Sequence, residues 1–250
     1  ARGTASMMYA LLVNAMGIFA KGDNLSIVPI ATILSASILL AGTVLFPFKK
    51  AVRIADSGTE SKADTKPFLI KYPKIALFVL GAICAYVGHN LINVFLFQIV
   101  TLKGGNHVNM GVCLSLAAVF EIPVMFGFAY LVAKCDSSVW VRVGGVGIML
   151  KIILTLLVPD MVGLYVVQVC QLFGFATFVV ATVYYANQAV EECDRVKGQA
   201  YMTMANTLGI VFASMLGGVL IDLCGTGGMM IVGSVITIIG CIMIFASTAK

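Results

Sequence analysis

Ile75-Ala76-Leu77-Phe78-Val79-Leu80-Gly81-Ala82-Ile83-Cys84-Ala85-Tyr86-Val87 runs without a charge and without polar alternation. Inside a bilayer the backbone has no solvent to bond, so a spanning segment is either a helix or a strand of a closed barrel. A barrel strand alternates apolar and polar residues about every second position, and this stretch does not. It belongs to an apolar run over 75–99, long enough as a helix to cross roughly 30 Å of hydrocarbon. Similar runs recur near 4–20, 27–47, 109–133, 143–158, 162–186, 199–221 and 229–247. Hydrophobic residues make up 60% of the 250 and charged residues only 11%, with a mean hydropathy of +1.04. A soluble domain carries about a quarter charged residues. The expected fold is therefore all-α, a polytopic membrane helix bundle of about eight transmembrane helices.

The net charge of +5 suggests a nucleic-acid partner until the basic residues are placed. With the first residue in the cytoplasm and the spans alternating, Arg2, Lys49, Lys50, Arg53, Lys62, Lys66, Lys71, Lys74, Lys134, Arg142, Arg195, Lys197 and Lys250 fall inside. Only Lys21 and Lys103 fall outside. This is the positive-inside bias, so the basic charge reports topology and no nucleic-acid partner is expected.

The longest loop, 48–74, is basic and polar and separates two spans before it from six after it. The remaining loops are short, which makes successive helices antiparallel neighbours. The chain opens on Ala1 with no signal peptide before the first span, and we expect it to be the C-terminal part of a longer polypeptide. Seven cysteines show no metal-type spacing; free structural thiols are expected, and no metal.

Two ionisable side chains lie deep in spans. Glu121 sits in Phe120-Glu121-Ile122-Pro123 and Lys151 in Leu150-Lys151-Ile152. A charge near the bilayer centre costs at least about 2.5 kcal/mol, so it has a partner or a role. At about 1.5 Å per residue their backbones lie roughly 20 and 14 Å from the cytoplasmic loop they share. An interhelical ion pair is within reach of a lysine stem. It is either purely structural or a proton-coupling pair.

Two helical stripes combine amides with rings. Tyr86, His89, Asn93 and Phe97 recur at spacings of three and four, with Asn90 beside them. Gln168, Gln171, Phe175, Phe178, Thr182 and Tyr185 do the same in the 162–186 span. Amides turned to lipid are costly, so both stripes should face inward, toward another helix or a solute cavity. Small residues also recur every four positions, at Gly209, Ala213 and Gly217 with Ser214 and Gly218 beside them, and at Gly81 and Ala85. Such stripes let helix backbones approach closely.

Gly88-His89-Asn90, Lys103-Gly104-Gly105, Glu121-Ile122-Pro123, Tyr184-Tyr185-Ala186-Asn187, Arg195-Val196-Lys197-Gly198-Gln199-Ala200 and Gly218-Val219-Leu220-Ile221-Asp222-Leu223-Cys224-Gly225 occur in this order. As a set they resemble the major facilitator superfamily, in its lactose-permease and nucleoside-permease-like branch. The resemblance assigns 75–250 to helices seven to twelve, the six-helix C-terminal bundle. It assigns 1–47, which opens on Ala1-Arg2-Gly3-Thr4-Ala5-Ser6, to the last two helices of the N-terminal bundle, and 48–74 to the cytoplasmic linker. Two departures stand out: a Gly-rich, Asp-Arg motif is reduced to Lys134-Cys135-Asp136, and Gln171 stands where relatives often carry histidine.

The resemblance implies alternating access between two six-helix halves around a central site. The expected activity is proton-coupled symport of a polar organic solute such as a sugar or nucleoside, driven by a proton gradient with no cofactor. Glu121 and Lys151 are the expected coupling residues. Tyr86, His89, Asn90, Asn93, Gln168, Gln171, Phe175 and Tyr185 are the expected substrate cavity, and Gly209, Gly217, Gly218 and Asp222 serve gating and packing. The expected partners are a small-molecule solute and the lipid bilayer. The complete protein is expected to be a monomer in the bacterial cytoplasmic membrane. The alternatives are a proton-antiport exporter of drugs or metabolites, and a truncated, non-transporting fragment. An enzyme is not expected, because the grouped carboxylates Glu191, Glu192 and Asp194 lie in a loop beside basic residues.

Both ends of the chain should be cytoplasmic. With cysteine introduced at Lys62 or Asn106 on a background stripped of native thiols, an impermeant thiol reagent applied to intact cells should label only position 106. Labelling of position 62 would reverse the topology.

Overall fold

The computed structural model describes residues 67–249. The spans expected at 4–20 and 27–47, and the linker up to residue 66, lie outside the described residues. Within 67–249 there is no strand. The helices are α1 (Phe68–Lys71), α2 (Pro73–Val94), α3 (Leu96–Leu102), α4 (His107–Lys134), α5 (Ser137–Leu157), α6 (Met161–Val167), α7 (Thr177–Ala189) and α8 (Arg195–Thr248).

Four expected spans differ in detail. The 75–99 span is interrupted at Phe95, whose φ of −104° and ψ of 24° end α2 before α3 begins. The 162–186 span is interrupted by a π-helical turn at Leu172–Ala176, with non-helical Gly174 inside it. The spans at 199–221 and 229–247 lie in one helical run of 54 residues, too long to cross a bilayer once. Gly225, at φ 71° and ψ 175°, divides that run into two limbs. A residue with a Cβ would be strained there.

Five helical stretches are long and apolar enough to cross a membrane, from Pro73–Val94 to Glu192–Thr248. The last of these holds both limbs of α8.

Helix α2 lies between the two limbs of α8. A methyl placed on Gly209 would sit 2.4 Å from Tyr86 Cβ, and one on Gly217 would sit 2.1 Å from the Phe95 ring. The first limb therefore runs parallel to α2. On the second limb, Gly240 faces the Gly81 carbonyl and Cys84 while Thr237 faces Gly88, so this limb runs antiparallel. Lipid tails are as apolar as leucine, so helices associate through close packing and polar contacts rather than exclusion from water. The expected small-residue stripes make these contacts. Gly209, Ala213 and Gly217 are buried, whereas Gly218 meets nothing within 4 Å and Asp222 and Ser214 are exposed.

A second close crossing joins α5 to the π turn and α7. Methyl groups on Gly144 and Gly147 would lie 2.7 Å from the Phe178 backbone and 2.6 Å from the Gly174 backbone. Thr177 Oγ1 donates to the Leu172 carbonyl at 2.8 Å, bonding within a turn that departs from helical geometry. Asn106 and Asn109 form a reciprocal capping box at the start of α4, and the Asp160 side chain caps α6 through Gly163 N–H.

Gly147→Ala should destabilise the bundle by about 1–3 kcal/mol, because the methyl group meets backbone that cannot rotate away. Gly218→Ala, which enters open space, should be neutral or stabilising by up to about 1 kcal/mol. Thermal unfolding in detergent checks both.

Candidate functional site

The buried face of α5 carries Gly144, Gly147, Ile148, Lys151, Ile152 and Thr155. Two glycines bring its backbone against the π turn, and Lys151 follows one turn further along. The crossing thus sets the lysine opposite Gln171. Lys151 Nζ donates to Gln171 Oε1 at 2.6 Å, and Gln171 Nε2 donates to Glu121 Oε1 at 2.8 Å. Lys151 and Gln171 are each 2% exposed. The expected coupling residues are therefore joined through a primary amide. Its oxygen faces the ammonium and its nitrogen the carboxylate, the orientation that favours both charges. Because α4 packs on the π turn, Gln171 stands between the two charged side chains.

His89 lies beside this chain. Its ring stacks on Phe175 with centroids 4.0 Å apart and planes 6° from parallel. Tyr86 meets Phe175 and Phe178 edge-on, at 6.3 and 5.3 Å. The Asn93 amide Nδ2 lies 2.7 Å from His89 Nε2. An amide nitrogen can only donate, so Nε2 accepts and the proton of the neutral ring sits on Nδ1. His89 is 1% exposed, and its Nδ1 is buried without a hydrogen-bond partner in the structure. Lys151 is close enough to act electrostatically on His89, Cys113 and Cys170.

The structure therefore brings together Glu121, Lys151, Gln171, Phe175, His89, Asn93 and Tyr86 from α2, α4, α5 and the π turn. The other expected cavity residues have local partners. Asn90 Nδ2 donates to the Tyr86 carbonyl at 2.8 Å and Gln168 Nε2 to the Leu164 carbonyl at 3.1 Å, each within its own helix. Tyr185 packs on Phe78 at 4.6 Å and its hydroxyl reaches the Ser247 carbonyl at 3.5 Å, so it belongs to the aromatic core near the start of α2 and the end of α8. Phe97 stacks on His107 at 4.1 Å, near the Asn109 amide that donates to Tyr165 OH at 2.6 Å. His107, Asn109 and Tyr165 did not stand out in the sequence. The only signal there was the Asn-His-Val-Asn opening of a helix.

At the end of the bundle where α2 and α8 begin, Lys71 pairs with Glu191 at 2.9 Å and with Asp194 at 3.1 Å, while Lys197 reaches Asp194 at 3.0 Å. The Tyr72 hydroxyl donates to the same carboxylate at 3.1 Å. Hydrogen bonds from Lys71 to Glu191, then to Asp194, hold the ammonium well above its ordinary range. These contacts fasten the end of the linker to the loop before α8. The grouped carboxylates of that loop are thus engaged by cations.

A bundle of apolar helices around a buried ammonium and amide joined to a half-buried carboxylate defines a polytopic membrane protein with an ionisable interior site. Residues 78–249 match the family model of the Major Facilitator Superfamily, and the chain belongs to that family. Members of the superfamily are membrane transporters. No curated protein matches the chain.

Gln171→Leu should leave the Lys151 ammonium without its acceptor and destabilise the bundle by roughly 1–3 kcal/mol or more. Adding Lys151→Met should recover part of that loss, because the buried charge goes with its partner. Thermal unfolding of the single and double variants measures the difference.

Proposed function

We propose that this chain supplies the C-terminal bundle of a proton-coupled symporter for a polar organic solute, with Glu121 as the proton carrier. The observation that supports this reading is the Lys151–Gln171–Glu121 chain. Glu121 is the one acidic residue deep in any expected span. When charged, its carboxylate accepts from Gln171 and balances Lys151. When protonated, it leaves Lys151 without a counter-charge, so the two protonation states favour different arrangements of α4, α5 and the π turn.

The interrupted helix supports the same reading. Gly174 gives the helix a break one turn from Gln171, and π-type turns are frequent at functional sites. Phe175, just beyond that break, carries the stack on His89. Rearrangement at the turn would move the ring and the amide together. Sugars and nucleosides, the solutes the resemblance implies, suit a site that offers amide hydrogen bonds and ring faces.

In proteoliposomes bearing the full-length protein and an imposed pH gradient, at least one radiolabelled solute from a panel of sugars, sugar acids and nucleosides should accumulate. Glu121→Gln should abolish accumulation against a gradient while solute exchange persists. Undiminished proton-driven accumulation in the Gln variant would remove Glu121 from the coupling.

A further inference from the structure

The polar groups of the site do not balance. The Lys151 ammonium offers three N–H donors, and Gln171 Oε1 takes one of them. His89 offers a further donor at Nδ1, which is buried and without a partner. On the acceptor side, Gln171 Oε1 is engaged by Lys151, the Asn93 amide donates to His89, and the Thr155 hydroxyl donates to the Lys151 carbonyl at 2.7 Å. The two positions are neighbours, since Phe175 carries His89 and Gln171, four residues earlier, carries Lys151. A group that completes this arrangement must accept hydrogen bonds from both sides.

Charge narrows its chemistry. The ionisable groups acting on Lys151 are Glu121, Cys170 and Cys113, and Lys151 acts in turn on His89. Of these, Glu121 alone is a carboxylic acid. While it is ionised, this cluster is neutral among the described residues, and an added anion would be unbalanced. Once it is protonated, one positive charge remains, and one negative charge neutralises it. A dianion would overshoot.

We infer that the site takes its solute by a singly charged acid group, a carboxylate, held between the Lys151 ammonium and the His89 Nδ1–H and admitted when Glu121 takes up a proton. This rests on the symport reading above and narrows its solute class to acids, such as sugar acids. Proton and carboxylate then enter as a neutral pair, and each strengthens the binding of the other. That mutual effect is a coupling free energy between two sites and must be reciprocal.

Acetate and acetamide, alike in size and different in charge, test the site without knowledge of the natural solute. The reporter is Cys170, which is partly exposed and within the electrostatic reach of Lys151. In the purified full-length protein, with every other cysteine replaced, alkylation of Cys170 by N-ethylmaleimide is timed with each compound from acidic to neutral pH. Acetate should slow alkylation and acetamide should not, with the protection strongest at the acidic end. Lys151→Gln should weaken protection roughly tenfold or more, the worth of one charge-assisted hydrogen bond. Lys151→Arg, which keeps the charge, should retain it and so control for folding. Glu121→Gln, which fixes the neutral state, should bind acetate equally across the pH range. Equal protection by acetate and acetamide, undiminished protection in Lys151→Gln, or none at any pH overturns the inference. So does a wild-type protection that ignores pH. Proton-driven uptake of neutral solutes without acetate protection would sink the inference alone. Acetate protection without any proton-driven uptake would instead sink the symport reading.

Discussion

An ammonium buried among hydrocarbon side chains is the constraint from which the rest of this structure follows. Lys151 cannot reach water from its place on α5, and an unpaired charge there is intolerable in a medium of low dielectric. Its counter-charge, Glu121, stands on a different helix. One amide links them, accepting from the ammonium and donating to the carboxylate. A leucine at position 171 would pack as well and bond neither. The identity of that residue is therefore set by the two charges it joins.

That amide can stand where it does because of glycine. Gly147 and Gly174 let the α5 backbone and the π turn meet without side chains between them. The same economy of side chains holds α2 between the two limbs of α8, through Gly81 and Gly88 on one face and Gly209 and Gly217 opposite its residues Tyr86 and Phe95. In a bilayer, where exclusion of water does little to press helices together, such contacts are a main source of cohesion. Close packing and the polar chain thus depend on each other. The first brings Lys151 to Gln171, and the second forbids the helices from separating without moving a charge.

Membership of the Major Facilitator Superfamily places these contacts in a transporting bundle. The glutamine at position 171, where the resemblance leads one to expect histidine, has a physical sense in the observed geometry. A neutral imidazole also carries one donor and one acceptor, but its two nitrogens are fixed in a rigid ring and can gain a second proton. A primary amide keeps the same pair of roles and cannot titrate. In the symport proposed above, proton binding would then fall to Glu121, with Gln171 linking it to Lys151.

Much of the fold was legible in the sequence, because the bilayer demands long apolar helices and places basic residues on one side. Six of the expected spans fall on described helices, and the small-residue stripes mark their closest contacts. The helix breaks at Phe95 and Gly174 were not legible. Each depends on what the segment packs against, and neither interrupts the apolar pattern. Of the site, the types of residue were legible and the pairing was not. Glu121 and Lys151 stood out because charge is rare in a span, and the amide–aromatic stripes stood out by their spacing. Composition and periodicity by themselves determined a helical membrane bundle and a short set of polar residues expected to face inward. Only the tertiary structure decided that Gln171 joins the two charges, that His89 stacks on Phe175, and that Asn90 and Gln168 turn to their own backbones. Those choices depend on ångström-scale distances between helices far apart in the chain, which a one-dimensional pattern does not encode.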